Sequence, residues 1–289
     1  MQDVTGKVAF ITGGASGMGL AMARSFSAAG MKVAVADIQQ DALDRVGAEF
    51  KGANANVITL KVDVTDRAAM EDAARRTEAA FGKIHVVCNN AGVAVGGPLD
   101  AMDYKDWDWV MGVNLAGVIN GIQTFVRRIE SHGEGGHIVN TASMAGHLPI
   151  PGLGVYNTTK YAVVGLSETL RADLAAKNIG VSVLCPGVVS TNIFDSGRNR
   201  PTALKGDVDT SSLTLMTDVP EAERAARLAE LVGNALDPAV VGDMVLAAIQ
   251  ANDPYIFTHP DLKAMVDART AAIGESFARW AQYRKEHGV

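Results

Sequence analysis

The sequence predicts a doubly wound α/β fold, in which a mostly parallel sheet of seven strands carries helices on both faces. Short β-branched runs alternate with longer helical stretches along most of the chain, a pattern typical of parallel strands joined by helices. The strand runs are continuously apolar, as expected for strands that are buried on both sides. A glycine-rich turn also stands between the first strand and the first helix.

The predicted elements follow one another along the chain. Strands are expected at residues 8–11, 33–36, 57–60, 85–88, 136–140, 181–184 and 255–258. Helices are expected at residues 20–29, 41–50, 66–81, 104–130, 156–177 and 237–249. Asp66 is a typical N-cap residue, Asp237 before a proline is typical of a helix start, and Gly180 is expected beyond the end of the fifth helix.

Two stretches do not follow this alternation of strands and helices. We expect one domain over residues 1–289, with an insertion at residues 188–236 and a C-terminal extension at residues 260–289. The insertion is polar in its middle, and a helix is predicted at residues 220–231. Because it mixes apolar anchors with glycines, we expect it to act as a mobile lid over a ligand. The extension is predicted to be helical.

The composition is that of an ordinary globular protein and excludes several classes of partner. A net charge of −6 argues against nucleic acid, since phosphate backbones bind clustered Lys and Arg. Cys88 and Cys185 each end an apolar run, which fits core residues of a protein from a reducing compartment. With no leader pattern and no apolar run of membrane length, we expect a cytoplasmic location and no membrane partner. The six histidines are scattered, so no metal site is predicted.

The glycine-rich turn at residues 12–19 suits the pyrophosphate of a dinucleotide. Glycines let the backbone approach phosphate oxygens closely, and the helix that follows presents N–H groups and the positive end of its dipole. The glycine spacing differs by one residue from the common dinucleotide fingerprint, and a plain turn is the alternative interpretation. The predicted contacts in this turn are Gly13, Ser16, Gly17, Met18 and Gly19.

Asp37 points to NAD as the cofactor. It stands just past the second strand, where a carboxylate accepts hydrogen bonds from the adenosine ribose and repels the 2′-phosphate of NADP. No Arg or Lys is adjacent to it. Asp63, after the third strand, is expected near the adenine, and Ile38 and Val64 complete the predicted adenosine site. An ordinary strand-end cap is the alternative role for each aspartate.

Tyr156 and Lys160 are predicted to carry the proton chemistry. Their i, i+4 spacing puts both on one helix face. The ammonium and the positive charge of an oxidised nicotinamide favour the phenolate, so the tyrosine pKa is expected to fall below its usual value of about 10. Such a tyrosine takes the proton of an alcohol while hydride leaves the carbon. Ser143 is expected to hold the substrate oxygen and the Asn114 amide to bind a water near Lys160, although each has an ordinary structural alternative.

Taken together, these motifs resemble those of the short-chain dehydrogenase/reductase family, as far as about Thr258. The matching motifs are Thr12-Gly13-x-x-x-Gly17-x-Gly19, Asp63-Val64, Asn89-Asn90-Ala91-Gly92, Asn114, Ser143, Tyr156-x-x-x-Lys160, Pro186-Gly187 and Thr191. The resemblance implies a Rossmann-like fold, catalysis by Asn114, Ser143, Tyr156 and Lys160, and cofactor contacts from Tyr156 and Lys160. It adds cofactor contacts at Asn90, Ala91, Gly92, Pro186, Gly187, Val189 and Thr191. It also implies a homo-oligomer, a dimer or tetramer in which helices 104–130 and 156–177 pair across a two-fold axis.

The substrate is expected to be a bulky, hydrophobic secondary alcohol or ketone, since the insertion and the aromatic tail resemble family members that act on aromatic or alicyclic alcohols. The predicted substrate contacts are Ser143, His147, Val188, Ile193 and Phe194. A surface loop is the alternative place for His147, and contact with a neighbouring subunit is the alternative role of the tail.

Two other functions stay open at this point: a cofactor-binding scaffold or regulator without turnover, and an epimerase or dehydratase that keeps its NAD bound. The intact set of four catalytic residues argues against the first. The glycine spacing and the small C-terminal part argue against the second. Release of NADH into solution would separate hydride transfer from both.

Overall fold

The computed structural model describes residues 1–53, 55–206, 220, 223 and 233–289. Within these residues seven strands form one sheet in the order β3-β2-β1-β4-β5-β6-β7, and every neighbouring pair is parallel. The strands are β1 (Val8–Thr12), β2 (Lys32–Asp37), β3 (Val57–Lys61), β4 (Val86–Asn89), β5 (Gly136–Thr141), β6 (Ile179–Cys185) and β7 (Tyr255–Phe257). The predicted doubly wound fold is confirmed, with a sheet that is wholly parallel.

Helices cover both faces of this sheet. Those that the structure describes are α1 (Gly17–Ala28), α2 (Gln40–Gly52), α3 (Arg67–Phe81), α4 (Tyr104–Met111), α5 (Gly117–Ser131), α6 (Gly154–Leu174), α7 (Pro238–Ala251) and α8 (Lys263–His287). Alternate residues of β1 enter opposite cores: Ile11 packs with α1, α2 and α7, whereas Phe10 packs with α3 and α5. The rings of Phe10 and Phe125 are 4.5 Å apart. Burial on both faces explains why the strands are continuously apolar.

Local sequence signals account for several helix ends. Asp66 accepts two backbone hydrogen bonds at the start of α3, and Asp237 accepts one at the start of α7, as expected of N-caps. Gly180 lies beyond the end of the predicted fifth helix, as expected. The chain turns at Asn178, which adopts a φ of 55°, and Gly180 lies inside β6. Asparagine tolerates this left-handed conformation, so no glycine is needed there.

The helical region predicted at residues 104–130 is not one α-helix. A π-helical turn, Gly112–Ala116, separates α4 from α5, and Asn114 lies at its centre. Turns of this kind often occur at functional sites. The whole region is long and apolar enough to cross a membrane, but 56% of its most apolar window is buried within the fold, as is typical of a core helix.

The two stretches outside the alternation of strands and helices differ in how far they are described. The insertion contains two 3-10 segments, Asn192–Asn199 and Thr202–Leu204. Apart from residues 220 and 223, the helix predicted at 220–231 lies outside the described residues. The extension is helical, as expected, and forms α8. None of its residues is buried, and Phe277 is 75% exposed.

Candidate active site

A cavity of about 1210 Å³ opens at the carboxyl edge of the sheet. It lies beyond the ends of β1 and β4, where the strand order reverses and parallel α/β sheets bind their ligands. Gly19, Asn114 and His147 are the only sequence-predicted site residues that do not line this cavity. The other predicted catalytic, cofactor and substrate residues are brought together around it.

The glycine turn is packed too closely to accept side chains. A Cβ atom at Gly19 would lie 2.1 Å from the carbonyl oxygen of Gly13. A Cβ atom at Gly13 would lie 2.9 Å from the Cα of Ala91, and Gly13 itself has a φ of 61°. The N-terminus of α1 therefore faces the cavity across glycine backbone, with no side chains on these glycines. Ser16 makes no side-chain capping bond there. These features fit a pyrophosphate group.

Asp37 lies at the far end of the cavity and is 9% exposed. Its carboxylate accepts hydrogen bonds from the backbone N–H groups of Ala15 (3.0 Å) and Gln39 (3.1 Å), which fix its orientation. Asp63 also lines the cavity, and its carboxylate accepts bonds from the N–H and hydroxyl of Thr65. Asp63 thus combines a turn-capping role with a position at the predicted adenosine site.

Tyr156, Ser143 and Lys160 meet at the other end of the cavity. The hydroxyl groups of Ser143 and Tyr156 are hydrogen-bonded to each other. The Ser143 hydroxyl also accepts a bond from the Ala145 N–H at 3.1 Å. The Lys160 Nζ lies 5.3 Å from the centroid of the Tyr156 ring and donates to the carbonyl of Thr141 at 2.8 Å. Two hydroxyls and a cation therefore converge where a substrate oxygen would bind.

Burial shifts the pKa values of both ionisable groups at this end of the cavity. Burial raises the pKa of the Tyr156 phenol to about 12, and the bond with Ser143 offsets only part of this rise. Burial also lowers the pKa of Lys160 to about 8. Burial therefore outweighs the bond with Ser143 in the protein alone, and the expected fall of the tyrosine pKa beside an oxidised nicotinamide stays a prediction.

Asn114 lies close to Lys160, since a Cβ atom at Gly92 would lie 3.6 Å from the Asn114 Oδ1 and 3.7 Å from the Lys160 Nζ; binding of a water by its amide stays a prediction. The amide is fully buried, with Oδ1 accepting from the N–H of Val93 at 2.8 Å and Nδ2 donating to the carbonyl of Val93 at 2.9 Å. Nδ2 also donates to the hydroxyl of Thr159 at 3.3 Å. The side chain thus ties the chain after β4 to α6.

His147 points away from the cavity, contrary to its predicted role as a substrate contact. Its Nε2 lies 3.4 Å from the Sγ of Cys185, and its ring packs against Tyr255 and Phe257. Burial lowers its pKa, which favours the neutral ring. The direction of the ring is set by the turn after Ser143, and no motif in the sequence indicates it.

Sequence reasoning missed the apolar wall on the substrate side of the cavity. The residues that form it are Trp109, Met144, Leu148, Ile150, Leu153, Leu204, Leu262 and Met265. The apolar run at residues 148–153, between Ser143 and Tyr156, was the available signal. Met265 belongs to the first turn of α8, so the start of the extension contributes to the cavity.

Asn157 fixes the chain that follows Ser143. Its Nδ2 donates to the carbonyl oxygens of Ala145 (3.0 Å) and Leu148 (2.7 Å), which bracket the turn leading into the apolar wall. Its buried Oδ1 has no partner among the described residues. Asn157 therefore ties the wall to α6 next to Tyr156.

The described start of the insertion is anchored to the body of the protein. Arg200 forms an ion pair of 2.7 Å with Asp106, and both side chains are under 10% exposed (7% and 3%). The guanidinium also lies 5.1 Å from the centroid of a Trp109 ring. These contacts tie the described start of the insertion to the body of the protein, and the mobile lid stays a prediction. Most of the remaining predicted lid lies outside the described residues.

One group of potential metal ligands is found among the described residues, far from the cavity. His85, His132 and Glu134 have ligand atoms within 4.8 Å of one another. The Nδ1 atoms of the two histidines accept backbone N–H bonds, and Glu134 pairs with Lys7 and Lys83. These bonds already use the donor atoms that a metal would need.

Comparison with known proteins agrees with this site. Residues 7–201 match the family model described as short chain dehydrogenase. The chain is 36% identical over 279 residues to a C alpha-dehydrogenase of Sphingobium sp., covering 96% of this chain and 88% of that one. It is 31% identical to the CLA biosynthesis dehydrogenase/reductase of Lactiplantibacillus plantarum, covering 94% and 95%.

A solved structure extends the likeness to three dimensions. The short chain dehydrogenase/reductase SDR from Burkholderia phymatum, in complex with NAD, superposes with a TM-score of 0.88 at 38% identity, covering 96% of this chain and 97% of that one. The matched residues include the glycine turn, the end of β4 and the Tyr156–Lys160 pair. The chain therefore belongs to the short-chain dehydrogenase/reductase family and is an oxidoreductase that acts on CH–OH groups.

Proposed function

We propose that the protein transfers a hydride between NAD and a bulky, hydrophobic secondary alcohol or ketone. The observation that carries this proposal is the shape of one cavity. It has a glycine turn and Asp37 at one end, the Ser143–Tyr156–Lys160 group at the other, and an apolar wall beside that group. A dinucleotide and an apolar substrate fit such a division.

In the oxidising direction, Tyr156 takes the proton from the alcohol hydroxyl, and the Ser143 hydroxyl holds the substrate oxygen by a hydrogen bond. Bound NAD supplies the acceptor for the hydride that leaves the carbon. Lys160 stabilises negative charge on the phenol oxygen, because its protonated form is a cation buried beside the ring. In reduction the phenol returns its proton to the substrate oxygen.

NAD is proposed over NADP because of the charge at the adenosine end. The Asp37 carboxylate faces the cavity with its orientation fixed by backbone bonds, and a 2′-phosphate there would meet like charge in a partly dehydrated setting. In support, the B. phymatum relative is described as a complex with NAD.

The proposed substrate class follows from the apolar wall. Trp109 and Leu148 are both over 90% buried and line the cavity beside the catalytic hydroxyls, with Ile193 and Phe194 on the facing segment. Such a wall gains free energy by covering an apolar substrate body, in proportion to the area it removes from water. The Sphingobium relative is named a C alpha-dehydrogenase, which supports a dehydrogenase reaction.

The test is a panel of secondary alcohols with NAD and with NADP, spanning aryl, alicyclic, steroid and small polar types. We expect release of NADH, and the highest kcat/KM with a bulky apolar alcohol. Phe194→Ala should then raise KM about tenfold with little change in NADH binding. Phe277→Ala, at a 75% exposed site on α8, is the matched control. No turnover with any alcohol, or a preference for small polar alcohols, would contradict the proposal.

A homo-oligomer in the cytoplasm completes the proposal. Helix α5 keeps a large apolar side chain at the surface, since Ile119 is 39% exposed. Surfaces of this kind are commonly closed by a symmetric partner. Light scattering at micromolar concentration should give a multiple of 30.3 kDa, and a monomer alone would refute this part. Fractionation of the source cells would test the location.

A further inference from the structure

Residues 191–199 cross the cavity like a strap, and we propose that Arg198 within this strap binds the pyrophosphate of the cofactor. The inference rests on the proposed NAD-dependent function and adds a residue to it. The glycine turn offers only backbone to a phosphate group, whereas Arg198, which also lines the cavity, offers a charged side chain.

The strap spans the cofactor half of the cavity from one side to the other. At its start, Thr191 packs directly on the glycine turn, since a Cβ atom at Gly17 would lie 3.0 Å from the Thr191 Cγ2. At its end, the Oδ1 of Asn199 accepts a hydrogen bond from the Nε2 of Gln39 at 3.0 Å. Gln39 stands two residues beyond Asp37. The strap thus bridges the predicted pyrophosphate and ribose sites.

The middle of the strap is fixed as well. Ser196 is 3% exposed, and its hydroxyl accepts a bond from the Ala94 N–H at 3.0 Å and donates to the Ala94 carbonyl at 3.1 Å. Because both ends and the middle are held, the position of Arg198 over the cavity is set by the fold. A pre-positioned cation loses less conformational entropy when it binds an anion.

One nitrogen of the Arg198 guanidinium is hydrogen-bonded within the strap, and the other two are available to a ligand. Its Nη1 donates to the carbonyl oxygens of Asn192 (3.0 Å) and Asp195 (2.5 Å). The Asp195 carboxylate lies 3.5 Å away and is 80% exposed, so this ion pair is weak. Nε and Nη2 make no hydrogen bond to the described residues. The planar guanidinium is suited to phosphate oxygens, which it can bind through two parallel bonds.

The charges of the residues that line the cavity indicate which anionic group Arg198 binds. Among the described lining residues only Lys160 and Arg198 are Lys or Arg, against four aspartates: Asp37, Asp63, Asp108 and Asp261. Lys160 is engaged beside Tyr156, at the reacting end. Arg198 is the cation left for the doubly negative pyrophosphate. Arg198 is bonded to Asn192, the residue after Thr191, and Thr191 packs on the glycine turn. This position favours the pyrophosphate over the ribose 2′ position as the group that Arg198 binds.

The test compares ligands that differ in their phosphates. NADH, NADPH, ADP-ribose and adenosine are titrated against wild-type protein, Arg198→Met and Arg198→Lys, by fluorescence and calorimetry. We expect Arg198→Met to weaken NADH and ADP-ribose about tenfold and to leave adenosine unchanged, because only the first two carry the pyrophosphate. Arg198→Lys should retain part of the affinity and its salt dependence. Arg75→Met is the matched control, since Arg75 also pairs with an aspartate three residues earlier but lies on the outer face of α3.

Each other outcome overturns the assignment. Equal weakening of adenosine and ADP-ribose means that Arg198 only shapes the strap, and unchanged affinities mean that it does not touch the cofactor. Weakening confined to NADPH means that it serves the 2′-phosphate. If Arg198→Met does not fold, by its melting curve, Arg198→Lys decides by the same comparison. Wild-type protein that fails to bind NADH or ADP-ribose would instead refute the proposed function, so the two failures are distinct.

Discussion

Tyr156→Phe separates proton transfer from binding and from folding. The substitution removes only the phenol oxygen, and the ring stays in its buried cluster with Ala94, Ala145 and Leu153. A general acid–base group contributes a factor of roughly 10³ to the rate. We therefore expect kcat to fall about 10³-fold, equivalent to roughly 4 kcal/mol of transition-state stabilisation.

The same structure predicts a small effect on stability. The variant loses the hydrogen bond with Ser143, a net contribution of about 1 kcal/mol, but it also removes a hydroxyl that is costly to bury. Lys160 keeps its bond to the carbonyl of Thr141. The free energy of unfolding should change by no more than about 1 kcal/mol, or a few degrees in Tm.

Three measurements on one preparation check this reasoning: kcat with the best alcohol of the panel, the Kd for NADH, and the melting temperature. Tyr161→Phe is the control, because Tyr161 lies on the same helix and its ring contacts Arg269 rather than the catalytic group. Activity within tenfold of wild type would remove Tyr156 from the mechanism. A collapse of NADH binding or of Tm would show that the residue is structural.

Three further variants test other parts of the structure. Asp37→Asn should narrow the preference for NAD over NADP in kcat/KM by relieving repulsion of the 2′-phosphate, and wild-type enzyme that prefers NADP would contradict this. Arg200→Met should cost about 3 kcal/mol of unfolding free energy, because it leaves the Asp106 carboxylate buried without this guanidinium, and denaturant titration that finds no loss would refute it. Glu134→Gln should destabilise the protein at neutral pH, since Lys83, His85 and Lys7 hold the Glu134 pKa well below its usual value of 4.5. A carboxyl group whose pKa is lower in the folded than in the unfolded protein stabilises the fold at pH values above its unfolded pKa, and this stabilisation is lost as the pH falls. The difference in unfolding free energy between wild type and variant should therefore shrink below about pH 4.5. A difference that stays constant in acid denaturation would contradict the prediction.

Much of the fold was predictable because its determinants are local. Apolar runs and helix caps set the strands and helices, and the parallel order followed from burial on both faces. The π turn at Asn114 was not predictable in this way. It depends on bonds between Asn114 and Val93, which are 21 residues apart in the chain. Residues at that separation carry no periodic signal that a sequence pattern could record.

The same distinction between local and long-range determinants applies to the candidate site. The cofactor residues and the Tyr156–Lys160 pair follow short motifs whose spacing itself fixes their geometry. The direction of His147 depends on how the turn after Ser143 is tied to Asn157, and the burial that shifts the pKa of Lys160 depends on the whole core. Spacing reveals which side chains share a face, but not how much water reaches them.

The burial of Tyr156 affects how the rates of alcohol oxidation and ketone reduction depend on pH. With the pKa of the Tyr156 phenol raised to about 12, its neutral form dominates at neutral pH, and this is the form that donates a proton during ketone reduction. Alcohol oxidation needs the phenolate, whose fraction rises up to tenfold per pH unit below that pKa. We therefore expect kcat/KM for oxidation to rise from about pH 6 and to rise less steeply above about pH 8, where Lys160 loses the charge that stabilises the phenolate, while that for reduction stays flat or falls. Parallel pH profiles in both directions provide the measurement. Oxidation that is independent of pH over this range would mean that the bound cofactor lowers the phenol pKa far below the value set by burial alone.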